Sequence, residues 1–237
     1  MTFMIPSTIV RPSTPRGEKR LFKMLQSAEG TQDWIALHSF DIAKHETKTS
    51  GEVDMILIIP GAGILFLEVK GVGVSRVGGK WFYDDGRQSD AGPFVQASSA
   101  MHSIRNLLNK SLPESSDLMF FSAVVFPDFD FNLPASPLEW HDWQVIDQRK
   151  LNAGNIANLF RGVLEKAHKY MASVGKKWYD DERSRPSPMM TQKLASFLRP
   201  NFSFAPSDRS AINFIEETIH SYTLEQLMTL DSFEDNE

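Results

Sequence analysis

Residues 51–71, GEVDMILIIPGAGILFLEVKG, hold two almost unbroken apolar runs parted only by Pro60-Gly61-Ala62-Gly63. Runs of this kind have no polar face at strand spacing, so they read as strands covered on both sides. The Pro-Gly-Ala-Gly break is a turn, and so short a turn brings the second strand back antiparallel to the first. A chain with this element needs a sheet with a packed layer on each face.

The rest of the sequence supplies the layers. Leu21, Phe22, Leu25 and Ala28 recur at helical spacing from Arg16 onward, which predicts a first helix. In PFVQASSAMHSIRNLL (93–108), Phe94, Ala97, Met101, Ile104 and Leu108 follow three- and four-residue steps behind a proline suited to a first helical turn. NIANLFRGVLEKAHKYM (155–171) reads as a further helix. DWIALHSF (33–40), LMFFSAVVFP (118–127) and WQVID (143–147) read as strands, and VGVSRVGGKWFYDDG (72–86) as a hairpin turning at Gly78-Gly79. That order predicts an α/β or α+β sandwich around a central mixed sheet.

At 237 residues the chain suits one large domain, or one domain with an appendage. It contains no cysteine, which excludes disulfides, thiolate metal sites and cysteine nucleophiles. Its longest apolar region is broken by Pro60, Gly61 and Gly63, so no membrane span is expected. The opening MTFMIPSTIV has no basic leader and is interrupted by Pro6, which predicts no signal peptide and a cytoplasmic location.

The chemistry gathers at the ends of the dry strands. Glu68 and Lys70 are two apart and share a face, while Val69 points the other way. Asp54 opens the preceding strand, so the antiparallel turn returns Glu68 and Lys70 beside it. Burying such charges costs several kcal/mol, about that per ion, unless they are paired or bind a metal. An ion pair of Lys70 with Glu68 or Asp54, or exposure at the sheet rim, would account for them without any activity. Two more residues weigh towards a site. Glu18 lies four before Phe22 and seven before Leu25, on the apolar stripe of the first helix, and Gln96 lies four before Ala100 on the later one. Hard oxygen donors of this kind suit Mg²⁺ or Mn²⁺, and a neighbouring lysine suits stabilisation of charge on a phosphate.

At these residues the sequence resembles the nuclease-related domain (NERD) family, a branch of the PD-(D/E)xK nuclease superfamily. The matching stretches are GEKRLFKML, SGEVDMILIIPGAGILFLEVKG, GKWF, GPFVQASSAMHSIRNLL and AVVFPD, in that order from residue 16 to about 128. The resemblance implies a restriction-endonuclease-like core: a mixed central sheet flanked by helices, here with a helical C-terminal extension. It implies that Asp54, Glu68 and the Val69 carbonyl are metal ligands, assisted by Glu18. Lys70 would orient or activate the attacking water, and Gln96 would position water or a backbone phosphate. Glu52 matches a family position and is left as ligand or ion-pair partner. Val53 stands where the superfamily has its nominal proline, and Ala100 where related exonucleases carry a tyrosine. The implied activity is Mg²⁺- or Mn²⁺-dependent hydrolysis of DNA. The alternative is a non-cleaving DNA-binding or helicase-docking module with the same fold.

The expected organisation is an extended arm over 1–15, the nuclease domain over 16–172, and a charged connector with helical extension over 173–222. The tail from 223 to 237, YTLEQLMTLDSFEDNE with its tyrosine at 222, resembles the opening of superfamily 1 helicase domains, which implies a helicase partner in cis or in trans. No Gly-x-x-x-x-Gly-Lys-Ser/Thr loop occurs within these 237 residues, so ATP binding of that kind is not expected of them. Residues 149–199 hold 11 Lys and Arg against 4 Asp and Glu, which reads either as a backbone-binding face or as a solvated helical surface. The histidines have no zinc spacing. His141 and the aromatic run Trp81-Phe82-Tyr83 read as an aromatic turn and as core.

Overall fold

The computed structural model describes residues 1–9, 12–42, 51–131, 139–175 and 179–201. Nine strands and five helices follow in the order β1 (Phe3–Ile5), α1 (Arg16–Ser27), β2 (Ile35–Ile42), β3 (Gly51–Ile59), β4 (Gly63–Val69), β5 (Val74–Val77), β6 (Lys80–Tyr83), β7 (Gln88–Ser89), α2 (Pro93–Ser111), β8 (Phe120–Phe126), β9 (Val145–Asp147), α3 (Gln148–Asn152), α4 (Ile156–Val174) and α5 (Pro188–Leu198) among the described residues. Six of the strands form one mixed sheet in the order β1-β2-β3-β4-β8-β9. The central hairpin β3–β4 is antiparallel, Met55 facing Leu67 and Ile58 facing Ile64. β8 lies parallel to β4, and the return to it runs through the three-stranded sheet β5-β6-β7 and then α2.

The two apolar runs are dry on both faces because alternate residues feed different clusters. Leu57, Leu65, Leu67 and Val69 pack with Leu21, Phe22 and Leu25 of α1 and with Phe160, Val163 and Leu164 of α4. Ile56, Ile58, Ile64 and Phe66 pack on the other side with Met101, Ile104 and Leu108 of α2 and Leu194 of α5. A third cluster of Trp81, Tyr83, Phe94, Phe126 and Trp140 fastens the small sheet to the end of β8 and the start of α2. There Phe94 stacks on Trp140 with 4.3 Å between centroids. The architecture is a mixed sheet between helical layers, with α5 as the helical extension. Among the described residues no helix is long and apolar enough to cross a membrane.

Three features differ from what the sequence alone conveys. The N-terminal segment is extended, yet it is not a separate arm: Phe3, Met4 and Ile5 pair in parallel with Ile35, Ala36 and Leu37. The charged connector is pinned at its described end. Arg185 pairs with Glu165 at 2.5 Å and donates to the Gly61 carbonyl at 3.1 Å, while Gly61 donates to the Pro186 carbonyl at 2.8 Å.

The third concerns the basic stretch, whose described cations are largely engaged by acids and carbonyls of the chain itself. Arg149 pairs with Asp147, Arg161 with Asp33, Arg183 with Asp117 and Lys193 with Glu114. Lys150 donates to the carbonyls of Asp142 and Val145. Counting charge along the sequence could not foresee this, because most of the acidic partners lie before residue 149. The helicase-like tail lies outside the described residues.

Candidate active site

At the ends of β3 and β4 opens a cleft of about 530 Å³. Glu18, Glu52, Asp54, Glu68, Lys70 and Gln96 all line it, as does Val69. With Met55 opposite Leu67, the next pair out brings Asp54 level with Glu68. The Val69 amide donates to Asp54 Oδ2 at 2.7 Å, and Lys70 Nζ donates to Glu68 Oε1 at 2.5 Å. Those Lys70 and Glu68 side chains are only 10% and 12% exposed, so the pair is shielded from water and its attraction is little screened. Behind it, Lys70 Nζ stands 5.6 Å from the centre of the Tyr83 ring, a second stabilising contact for the ammonium. The Val69 side chain belongs to the apolar core, so what it offers the cleft is its backbone.

Glu18 reaches the cleft from the first turn of α1 and is almost wholly buried. Two glycines allow this approach. A Cβ on Gly17 would stand 2.8 Å from Gly71 Cα, and one on Gly71 would stand 2.9 Å from Gly17 N. Only bare backbone lets the helix start press this closely against the end of β4. Gln96 enters from the first turn of α2, half-buried, its amide donating to the Ala91 carbonyl at 3.3 Å.

Electrostatics set the character of the cleft. Five carboxylates line it (Glu18, Glu52, Asp54, Glu68 and Asp85) against three cations, Arg16, Lys70 and Arg87. Burial, then the charges of Glu68 and Glu18, push the Asp54 carboxyl well above its usual pKa, against the Val69 amide and Lys70, which pull it down. Excess negative charge with hard oxygen donors is what a small divalent cation neutralises. The residues present fit Mg²⁺ or Mn²⁺ in charge and donor chemistry. Among the described residues, though, no three acid or histidine side chains are drawn together as a ready-made ligand group. Asp54 and Glu68 are turned to Val69 and Lys70 instead.

The sequence reading did not single out Arg16, Asp85, Arg87, Gly17, Gly71 or His38. Asp85 and Arg87 pair with each other on the turn after β6, and in sequence a DDGR turn is indistinguishable from a solvated one. The glycines did carry a signal, since each adjoins a matched acid or lysine. His141 stays away from the cleft lining, stacked on Trp143 with 5.2 Å between centroids. Trp81 and Tyr83 are core, as read.

A helix carrying an acid, an antiparallel strand pair carrying acid and acid-x-lysine, and a helical return to a parallel strand make up a PD-(D/E)xK-like core. Residues 14–127 match the family model of the nuclease-related domain, NERD. That segment, a little under half of the chain, is a nuclease-related domain and takes in α1, the central hairpin, the small sheet, α2 and β8. Comparison with curated proteins and with solved structures gave no match.

Proposed function

We propose that the chain is a divalent-metal-dependent nuclease that hydrolyses phosphodiester bonds in DNA, and that it serves as the nuclease module of a nuclease–helicase. The observation that carries this reading is the excess of buried carboxylate around Asp54, with a lysine beside it, at the mouth of an open cleft in a NERD domain. Phosphate is itself anionic and would be repelled by such a lining, so a cation has to enter with the substrate or before it. Asp54, Glu68, the Val69 carbonyl and Glu18 would hold Mg²⁺ or Mn²⁺, which when bound supplies Lewis acidity and a more acidic water.

The chain's own groups do the rest. Lys70 places a fixed positive charge where the phosphoryl oxygens gain negative charge as water attacks phosphorus and an ester oxygen leaves. The Tyr83 ring and Glu68 hold that ammonium in place. Gln96, rooted at the start of α2, is placed to orient the water or a non-bridging oxygen. A purely DNA-binding role for residues 149–199 is less well supported, because the described cations there are mostly paired internally.

The test is cleavage of single- and double-stranded DNA by the purified chain in Mg²⁺, Mn²⁺ or EDTA, beside Lys70→Ala. The reading expects cutting only with metal and none by the variant. Equal cutting in EDTA, or by Lys70→Ala, would remove the metal or the lysine from the mechanism.

A further inference from the structure

The family match ends at residue 127, yet Arg199, well beyond it, braces a bend of β2 that stands behind the cleft. Directly behind Glu18 stands His38, buried on β2, with Nε2 3.8 Å from Glu18 Oε2. The imidazole meets the Phe22 ring edge-on at 5.3 Å, and the Ser39 hydroxyl lies 3.0 Å from the same Nε2.

Ser39 is in an uncommon conformation. Its φ is +49°, the left-handed region that a side chain rarely enters, and no other described non-glycine residue has a positive φ. The kink has a specific place: His38 pairs with Met55 and Phe40 with Val53, so Ser39 is level with Asp54 on the neighbouring strand. Strained backbone persists where its surroundings over-determine it, and such positions cluster at functional sites.

Arg199, just past the end of α5, supplies the determination. It donates from Nη1 to the carbonyls of Ile5 and His38 at 3.0 and 3.1 Å, and from Nη2 to the carbonyl of Ser39 at 2.9 Å. Its guanidinium also lies 5.6 Å from the Phe40 ring centre. Three donors of one planar group thus fix the ends of β1 and the bend of β2 together.

The geometry points to His38, held by the Arg199-braced bend at Ser39, as a positioning residue that fixes the Glu18 carboxylate for cation binding in the cleft. This rests on the proposed metal site and adds to it the part of the chain that aims one ligand. Metal ligands oriented by an outer partner commonly lose about 10–100-fold in affinity when that partner is removed. His38 does not itself line the cleft, and its contact there is with Glu18, so its removal should act on affinity through Glu18.

The experiment is calorimetric titration of Mn²⁺ into the full chain, with melting in EDTA as the control for folding. The parent is expected to bind, and Asp54→Ala not to. His38→Phe keeps the ring against Phe22 but removes both nitrogens, and should bind about ten-fold more weakly or worse while melting close to the parent. His38→Gln restores a donor near Nε2 and should recover most of the affinity. Arg199→Met leaves every cleft side chain in place and should also weaken binding; it decides the matter if His38→Phe does not fold. Parental affinity in His38→Phe, or in Arg199→Met where the former is unfolded, would overturn the inference while leaving the metal site standing. A parent that binds no Mn²⁺ would overturn both.

Discussion

Asp54 accepts the Val69 amide through Oδ2 while burial and the charges of Glu68 and Glu18 hold its pKa well above the carboxylate range. In the absence of a cation that crowding is a local cost to folding. Asp54→Asn keeps an oxygen for the Val69 amide and removes one charge. It should therefore raise metal-free stability, by about 1 kcal/mol, the scale of single stabilising changes at functional sites, while abolishing cleavage. Urea unfolding in EDTA measures the first effect, and a variant less stable than the parent would show that the crowding is not felt. Asp54, Glu68 and Lys70 were legible in the sequence because a two-residue period and one short turn are enough to fix their faces and their neighbours. Arg87 and His38 were not. Their places depend on how the small sheet and β2 pack, and no spacing rule within a single element conveys that.

At the scale of elements, the contact between α1 and the end of β4 sets where Glu18 stands. Alanine is the better helix former by about 1 kcal/mol, so propensity alone would have Gly17→Ala stabilise α1. The 2.8 Å approach to Gly71 Cα, which is backbone and cannot swing aside, reverses that sign. Gly17→Ala should lower stability by about 1–3 kcal/mol, as overpacking does, and lose activity as Glu18 moves out. A variant as stable and active as the parent would mean that the helix start has room to shift.

At the opposite end of the same hairpin, α4 clips the turn through His168. Its Nε2 lies 2.7 Å from the Ala62 carbonyl and must donate to it, and Nδ1 lies 2.8 Å from the Tyr179 hydroxyl. Burial pushes the His168 pKa below its usual value. A histidine depressed in the folded state binds its proton more readily once unfolded. Its contribution is therefore complete above the unfolded pKa of about 6.5 and is lost as pH falls from there through the lower folded pKa. Stability should drop between pH 7 and pH 5, by less in His168→Gln, and equal drops in urea midpoints would exclude His168 as a cause. Helices α1, α2 and α4 and strands β2–β6, β8 and β9 were readable from period and turn residues, whereas the short α3 and β7 were not. The pairing of residues 3–5 with β2 was not, because a three-residue edge strand bears no pattern of its own.

Over the whole molecule, the NERD segment supplies the cleft and the rest of the described chain supplies much of its support. Phe160, Val163 and Leu164 of α4 complete one apolar cluster, and Leu194 of α5 completes the other. Net charge along the sequence suggested a basic surface after residue 149, but three-dimensional pairing placed those cations against acids from elsewhere in the chain. In the proposed function the charge that matters is the opposite one, the carboxylate excess inside the cleft. The most direct test of that claim is the melting temperature of the parent and of Asp54→Asn, each with and without Mn²⁺. A cation bound only by the folded state stabilises by about 2.7 kcal/mol at a hundred times its dissociation constant. The account predicts a Mn²⁺-dependent rise for the parent and little or none for Asp54→Asn. No rise in the parent, or an equal rise in both, would contradict it.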